Sequence, residues 1–288
     1  MFDHKKAFSR NLGWVTEEES EALKNLRVAT AGCGGVGGEH LLTLARLGIS
    51  NFKISDIDEF EIQNFNRQAF SFTSTLNKNK VDVAEKFLKE LNPNMNVISY
   101  NKGIDKENVS EFLEDIDIYV DTIDIYAIKE RIEIFKECKK RNIPIFTAGP
   151  LGMGTSYLCF DHKKTDVIKY FNFKETDSNI DGVLKFLLGV SPNLLHTKYI
   201  ADKSYVDIKN GKTPSIVMGV KAASAALCTE VLKHTLKRGD LIVAPTSMQI
   251  DFYTNSITKP TLKMGNRGPI QRAKLIYLKF KYSNRKSK

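Results

Sequence analysis

Short apolar runs alternate along the chain with amphipathic stretches, and the spacing of the apolar residues separates the two. Residues 26–31 (LRVATA), 51–55 (NFKIS), 94–100, 116–120 (IDIYV) and 143–147 (IPIFT) are brief and rich in β-branched or aromatic residues, so they predict strands. Between them, residues 37–47, 81–91, 106–113 and 127–141 carry apolar side chains at three- and four-residue intervals and predict helices. Residues 16–19 read TEEE, a capping-box pattern that opens a helix to about residue 24. Strand and helix alternating through short links imply βαβ units. The predicted fold is α/β: a Rossmann-like open sheet, parallel in its N-terminal part, with helices on both faces. After residue 149 the rhythm changes. Strands are predicted at 155–160, 248–252 and 255–257, the last two closing the sheet as an antiparallel hairpin, and 215–236 predicts a long helix rich in small residues. Residues 161–214 are the least regular part, either a substrate loop or a plain excursion, within a chain that reads as one unit from 1 to 288.

Composition narrows the class. Of 288 residues, 42% are apolar and 27% charged, which excludes collagen-like, coiled-coil and mainly disordered chains. No run of 18 apolar residues occurs, so no membrane span is expected, and the N-terminal MFDHKKAFSR lacks a secretory apolar stretch, so a cytoplasmic setting is expected. Cys33, Cys138, Cys159 and Cys228 lie apart with no CxxC pair, which predicts neither disulfides nor structural zinc, and the last three read as buried packing residues. The net charge is +9, but residues 272–288 alone hold seven Lys or Arg and no acid. The body is therefore nearly neutral. The basic tail either meets nucleic acid or an acidic partner, or is a solvated terminal strand.

The candidate chemistry begins at Gly32-Cys33-Gly34-Gly35-Val36-Gly37, a G-x-G-x-x-G loop that follows a predicted strand and opens a predicted helix. Such glycines let backbone N–H groups approach a phosphate, and the helix N-terminus adds positive potential. Asp56, at the end of the second strand, is placed to accept bonds from ribose hydroxyls. This much fits NAD, FAD or ATP. The next residues, Asp58, Asn64, Arg67, Gln68 and Lys80, add an amide, a guanidinium and an ammonium, the donors that a leaving pyrophosphate requires. Asp121 and Asp124 follow the fourth strand, beside the switch point of an open sheet, where a carboxylate can hold Mg²⁺ on phosphates or cap the next helix.

GCGGVG at 32–37, DIDEFEIQNFNRQ at 56–68, Lys80 and DTID at 121–124 together resemble the ThiF/MoeB/HesA family, activating enzymes related to ubiquitin-activating enzyme. The resemblance implies ATP- and Mg²⁺-dependent adenylation of a carboxylate, often the C-terminal glycine of a ubiquitin-like protein. It implies that Gly32, Gly34, Gly35, Gly37, Asp56, Asp58, Asn64, Gln68 and Asp121 bind the nucleotide, with Asp56 at the ribose. Asn64, Arg67 and Lys80 would meet the phosphates, and Asp124 would hold the metal. Arg10, in Ser9-Arg10-Asn11, would reach the ATP site of a second subunit and so require a homodimer.

Three features depart from the family pattern: Ile125 stands where Asn is common, CxxC pairs are missing, and residues 161–214 contain no cysteine. Acyl transfer to an enzyme thiol is therefore not expected. Family members that work without one include the cyclase that dehydrates a threonylcarbamoyl adenosine on transfer RNA, and enzymes that modify peptides. The substrate is left as a ubiquitin-like protein, a peptide or a modified tRNA base. Residues 150–154 (PLGMG) read as a turn or as a place where substrate glycines lie close to backbone. A nicotinamide or flavin oxidoreductase would share the glycine loop and Asp56 but gives no reason for Asn64, Arg67 and Lys80. A non-catalytic nucleotide-binding protein would share the whole set.

Overall fold

The structure, a computed structural model, describes residues 2–211 and 213–283. Eight strands form one sheet: β1 (Arg27–Ala31), β2 (Asn51–Ser55), β3 (Asn96–Tyr100), β4 (Ile118–Asp121), β5 (Ile145–Leu151), β6 (Gly154–Phe160), β7 (Met248–Asp251) and β8 (Ser256–Thr258). Their order is β3-β2-β1-β4-β5-β6-β7-β8, with β1 to β5 parallel and β6, β7 and β8 each antiparallel to the strand before. The chain runs outward from β1 to β3, then returns to lay β4 on the other side of β1. That reversal opens a crevice at the carboxyl ends of β1 and β4.

Ten helices cover the sheet: α1 (His4–Ala7), α2 (Glu17–Asn25), α3 (Gly35–Arg46), α4 (Lys80–Leu91), α5 (Val109–Phe112), α6 (Ile128–Arg141), α7 (Val167–Phe171), α8 (Asn179–Val190), α9 (Val217–Leu236) and α10 (Pro269–Ser283), a count for the described residues. Alternation along the strands divides the core in two. Val28, Ile54 and Phe146 pack with Leu41 and Leu44 of α3, Val81 of α4 and Leu227 of α9 on one face. Ala29, Tyr119 and Phe160 pack with Phe135 of α6, Phe171 of α7 and Leu184 of α8 on the other. Helices thus lie on both faces, as the alternating pattern predicted. Each such large apolar side chain stabilises the fold by roughly 1.5–3 kcal/mol. The predicted capping box is present: Glu19 N–H donates to the Thr16 hydroxyl at 3.2 Å, and Thr16 N–H to the Glu19 carboxylate at 2.9 Å.

Boundaries differ from the sequence reading where local bonds intervene. The predicted helix 37–47 begins at Gly35, so the loop's last glycines are already helical. The strand predicted from 94 begins at Asn96, because Asn94 N–H donates to the Asn92 side chain in a turn. β5 runs on to Leu151 because it forms a hairpin with β6, which takes up most of residues 150–154. The irregular stretch 161–214 contains α7 and α8, and α8 buries Leu184 and Leu188. Among the described residues, the basic tail forms no strand. Residues 269–283 are helical, with Gln271 and Leu278 buried and Leu275 half-buried at helical spacing against the body. Arg285, Lys286 and Lys288 lie outside the described residues.

Candidate active site

The site is built at the end of β1. Gly32 turns the chain at φ +119°, where a Cβ would collide with the carbonyl of Thr122, and its N–H donates to Ser55 O at 2.6 Å. A Cβ on Gly37 would overlap the carbonyl of Gly32. The first and last glycines are thus required by backbone packing. Gly34 and Gly35 lie under a different roof: a Cβ on Gly34 would sit 3.6 Å from Gln68 Nε2, and one on Gly35 3.9 Å from Arg67 Nε. The loop that carries Arg67 and Gln68 therefore covers the glycine turn. Thr122, just past β4, locks the turn, its hydroxyl lying 2.8 Å from Gly32 O and 2.6 Å from the Thr30 hydroxyl.

Asp56, just past β2, ties the turn from the other side. Its two oxygens accept the N–H groups of Cys33 at 2.6 Å and Asp58 at 2.8 Å. Burial pushes the Asp56 carboxyl above its usual range, and these two donors with Lys80 hold it back. Lys80 opens α4, and its buried ammonium lies 2.8 Å from the exposed Asp58 carboxylate. Asn64 is buried, and its side-chain oxygen accepts Glu61 N–H at 3.0 Å, shaping the turn that presents Arg67. Arg67 is half-buried, with Nη1 donating to Gln63 O at 3.0 Å and to the Asn66 side chain at 2.9 Å. Desolvation lowers its pKa, and the nearby charge of Asp124 opposes that. The Oε1 of Gln68 is buried and has no partner among the described residues. Cys33 is buried, and burial pushes its thiol well above the ordinary range, so it is no nucleophile. The other three cysteines are buried and free as well.

The two acids of DTID have separate fates. Asp121, expected among the nucleotide ligands, has its carboxylate engaged by protein partners. It is 2% exposed, both its oxygens lie 3.2 Å from Arg131 Nε, and Oδ2 accepts the Thr147 hydroxyl at 2.9 Å. It is a closed structural ion pair, because it ends β4 pointing into the α6 side of the sheet. Asp124 is exposed. Its Oδ1 accepts Tyr126 N–H at 2.7 Å, and Oδ2 has no bond among the described residues. Arg10 is not brought to this site. The segment around it is fastened to the far end of α3 by Asn11 Nδ2 on Arg46 O at 3.1 Å and His4 on Gly48 O at 2.9 Å. Twelve helical residues put that end roughly 17 Å from the glycine turn.

The sequence motifs do not include Arg131 or Tyr199. A charged residue at the i+3 position of the buried α6 stripe Ile128, Arg131, Phe135, Cys138 was the available signal for Arg131. Nothing local marks Tyr199, whose hydroxyl accepts Met153 N–H at 2.8 Å from the β5–β6 turn.

Residues 8–269 match the ThiF family. The chain belongs to the ThiF family. Among its ThiF-family relatives, tRNA threonylcarbamoyladenosine dehydratase of Bacillus subtilis is 35% identical over 142 residues, 49% of this chain and 55% of that protein. Molybdopterin-synthase adenylyltransferase of Haemophilus influenzae is 26% identical over 181 residues, 61% of this chain and 74% of that one. The match to the first relative thus spans about half of its length. Two solved structures share the ThiF-type fold. E. coli MccB, solved with ATP, superposes with a TM-score of 0.63 at 21% identity, covering 88% of this chain and 69% of that one. E. coli tRNA N6-threonylcarbamoyladenosine dehydratase does so with 0.59 at 17%, covering 81% and 95%.

Proposed function

We propose that this chain uses ATP and Mg²⁺ to adenylate a substrate carboxylate, without an enzyme thioester. The observation that carries the reading is the convergence of the glycine turn, Arg67 and Asp124 at the β1–β4 switch point, with Arg67 lying over Gly35 and within the field of Asp124. An oxidoreductase gives no reason for an arginine over the glycine turn.

The residues fit the nucleotide. The partnerless Gln68 Oε1 is the kind of buried acceptor that a ligand donor satisfies. Asp56, already holding two backbone donors, keeps lone pairs for ribose hydroxyls. The first turn of α3 turns its N–H groups to the phosphates. Arg67 and Lys80 offset the charge of the departing pyrophosphate as the carboxylate oxygen bonds to the α-phosphorus. Asn64 serves chiefly by shaping the turn that holds Arg67. Asp124 fits Mg²⁺ as a single exposed carboxylate whose Oδ2 has no bond among the described residues. Mg²⁺ takes one or two carboxylates together with phosphates and water, and there it would neutralise phosphate charge.

Arg10 acts on the site of a second copy in a homodimer, which its distance from its own glycine turn supports. The substrate is a peptide, a modified tRNA base or a ubiquitin-like C-terminus, and the second of these is in keeping with the name of one relative, a tRNA threonylcarbamoyladenosine dehydratase. Four unpaired, buried thiols suit the cytoplasm. The test is exchange of labelled pyrophosphate into ATP, driven in turn by each of these carboxylates. Exchange should depend on one of them and vanish in Asp124→Ala and Arg67→Ala. Variants that exchange at the wild-type rate, or a chain that binds NAD(H) and not ATP, would overturn the reading.

A further inference from the structure

Arg131 is 2% exposed on α6 and touches three parts of one turn. Its Nε lies 3.2 Å from both oxygens of Asp121, Nη1 donates to Asp124 O at 3.1 Å, and Nη2 donates to Ile123 O. The ring of Phe186, on α8, backs the guanidinium, its centroid 4.0 Å from Cζ. The ion pair neutralises Asp121, and any buried cation would do that. The two carbonyl bonds are different. They fix consecutive peptide planes just past the end of β4, and only a planar fork of donors spans them together with a carboxylate. With both carbonyls held inward, the Asp124 side chain is left on the exposed side, where Oδ1 takes the Tyr126 N–H.

We propose that Arg131 is a positioning residue for the reaction: it holds the 123–124 backbone so that the Asp124 carboxylate faces the metal–nucleotide. The inference rests on the reading of Asp124 as the Mg²⁺ ligand. It predicts that orientation, and not only stability, depends on Arg131, since a displacement of about 1 Å can cost on the order of 100-fold in a reaction that works by positioning.

Arg131→Lys keeps the charge beside Asp121 and gives up the fork. Calorimetric titration with ATP in EDTA should give an affinity within about twofold of wild type, while the Mg²⁺ concentration for half-saturation rises at least ~10-fold. In pyrophosphate exchange, kcat should fall while KM for ATP stays nearly constant. In an Asp124→Asn background, adding Arg131→Lys should change the Mg²⁺ dependence by less than about twofold, because the group being positioned is gone. Wild-type Mg²⁺ dependence in Arg131→Lys, or a full-sized effect in the Asp124→Asn background, overturns the proposal. Should Arg131→Lys fail to fold, the neutral pair Asp121→Asn/Arg131→Gln carries the same titrations. Wild-type ATP binding that ignores Mg²⁺ would instead strike the role of Asp124 itself, and the proposal with it.

Discussion

The hydroxyl of Tyr199 donates to Oδ2 of Asp251 at 2.8 Å, pinning the segment before α9 to the last residue of β7. Asp251 is 1% exposed, and its other oxygen is taken by the N–H and hydroxyl of Thr254. Tyr199→Phe would strand both a carboxylate oxygen and the Met153 N–H. We expect a loss of about 1–3 kcal/mol in urea unfolding. A loss below about 0.5 kcal/mol would mean that water replaces both bonds.

Two glycines of one motif should fail in different ways. Gly37→Ala forces a methyl onto the Gly32 carbonyl, so both stability, by about 1–3 kcal/mol, and ATP affinity should fall. Gly35→Ala meets only Val220 at 3.7 Å and Arg67 at 3.9 Å, so its thermal midpoint should stay near wild type while ATP affinity drops. Melting curves beside calorimetry separate the two, and equal melting of both variants would refute the distinction.

The acids of DTID should part company likewise. Asp121→Ala leaves Arg131 buried and uncompensated, at an expected cost of about 3–5 kcal/mol. Asp124→Ala should change stability by no more than about 1 kcal/mol yet abolish exchange. A stable, inactive Asp121→Ala would instead support a nucleotide role for that residue.

Acid should weaken the fold partly through His40. Both its ring nitrogens are buried without a partner among the described residues, and burial lowers its pKa to about 3. The unfolded chain accepts this proton near 6.5, whereas the folded chain refuses it down to about 3. The contribution is therefore complete above pH 6.5 and is lost as pH falls through that window, by up to about 1.4 kcal/mol per unit. Between pH 7 and 5, wild type should lose about 2 kcal/mol more than His40→Met in paired urea titrations. Parallel losses would place the proton elsewhere.

Arg10 can be tested by complementation. Arg10→Ala and Arg67→Ala should each be nearly inactive, and a mixture should recover about a quarter of wild-type exchange, because half the dimers then hold one intact site. A mixture as inactive as its components would show that Arg10 does not act across subunits.

Much of this was legible in the order of residues. The helix–strand rhythm through β5 depends on periodicity that neighbours within a dozen positions display. The glycine turn depends on φ values and close approach that only glycine allows, and Asp56 follows it at the next strand end. The form of the tail was not legible because KLIYLKFKY is apolar enough for either a strand or a helix. Its helix was decided by where the body offered a surface for Gln271 and Leu278.

By itself, then, the sequence determined the fold class, the parallel start of the sheet and the position of the glycine turn, because those rest on local sterics and on the spacing of apolar side chains. The tertiary structure alone decided which acid of DTID faces solvent, that Arg131 serves the turn before it, and that Arg10 lies at the far end of α3. Each of those follows from hydrogen-bond partners held by different elements. A carboxylate's role is set by the donors that packing brings within about 3 Å of it, which neighbours in the chain do not reveal.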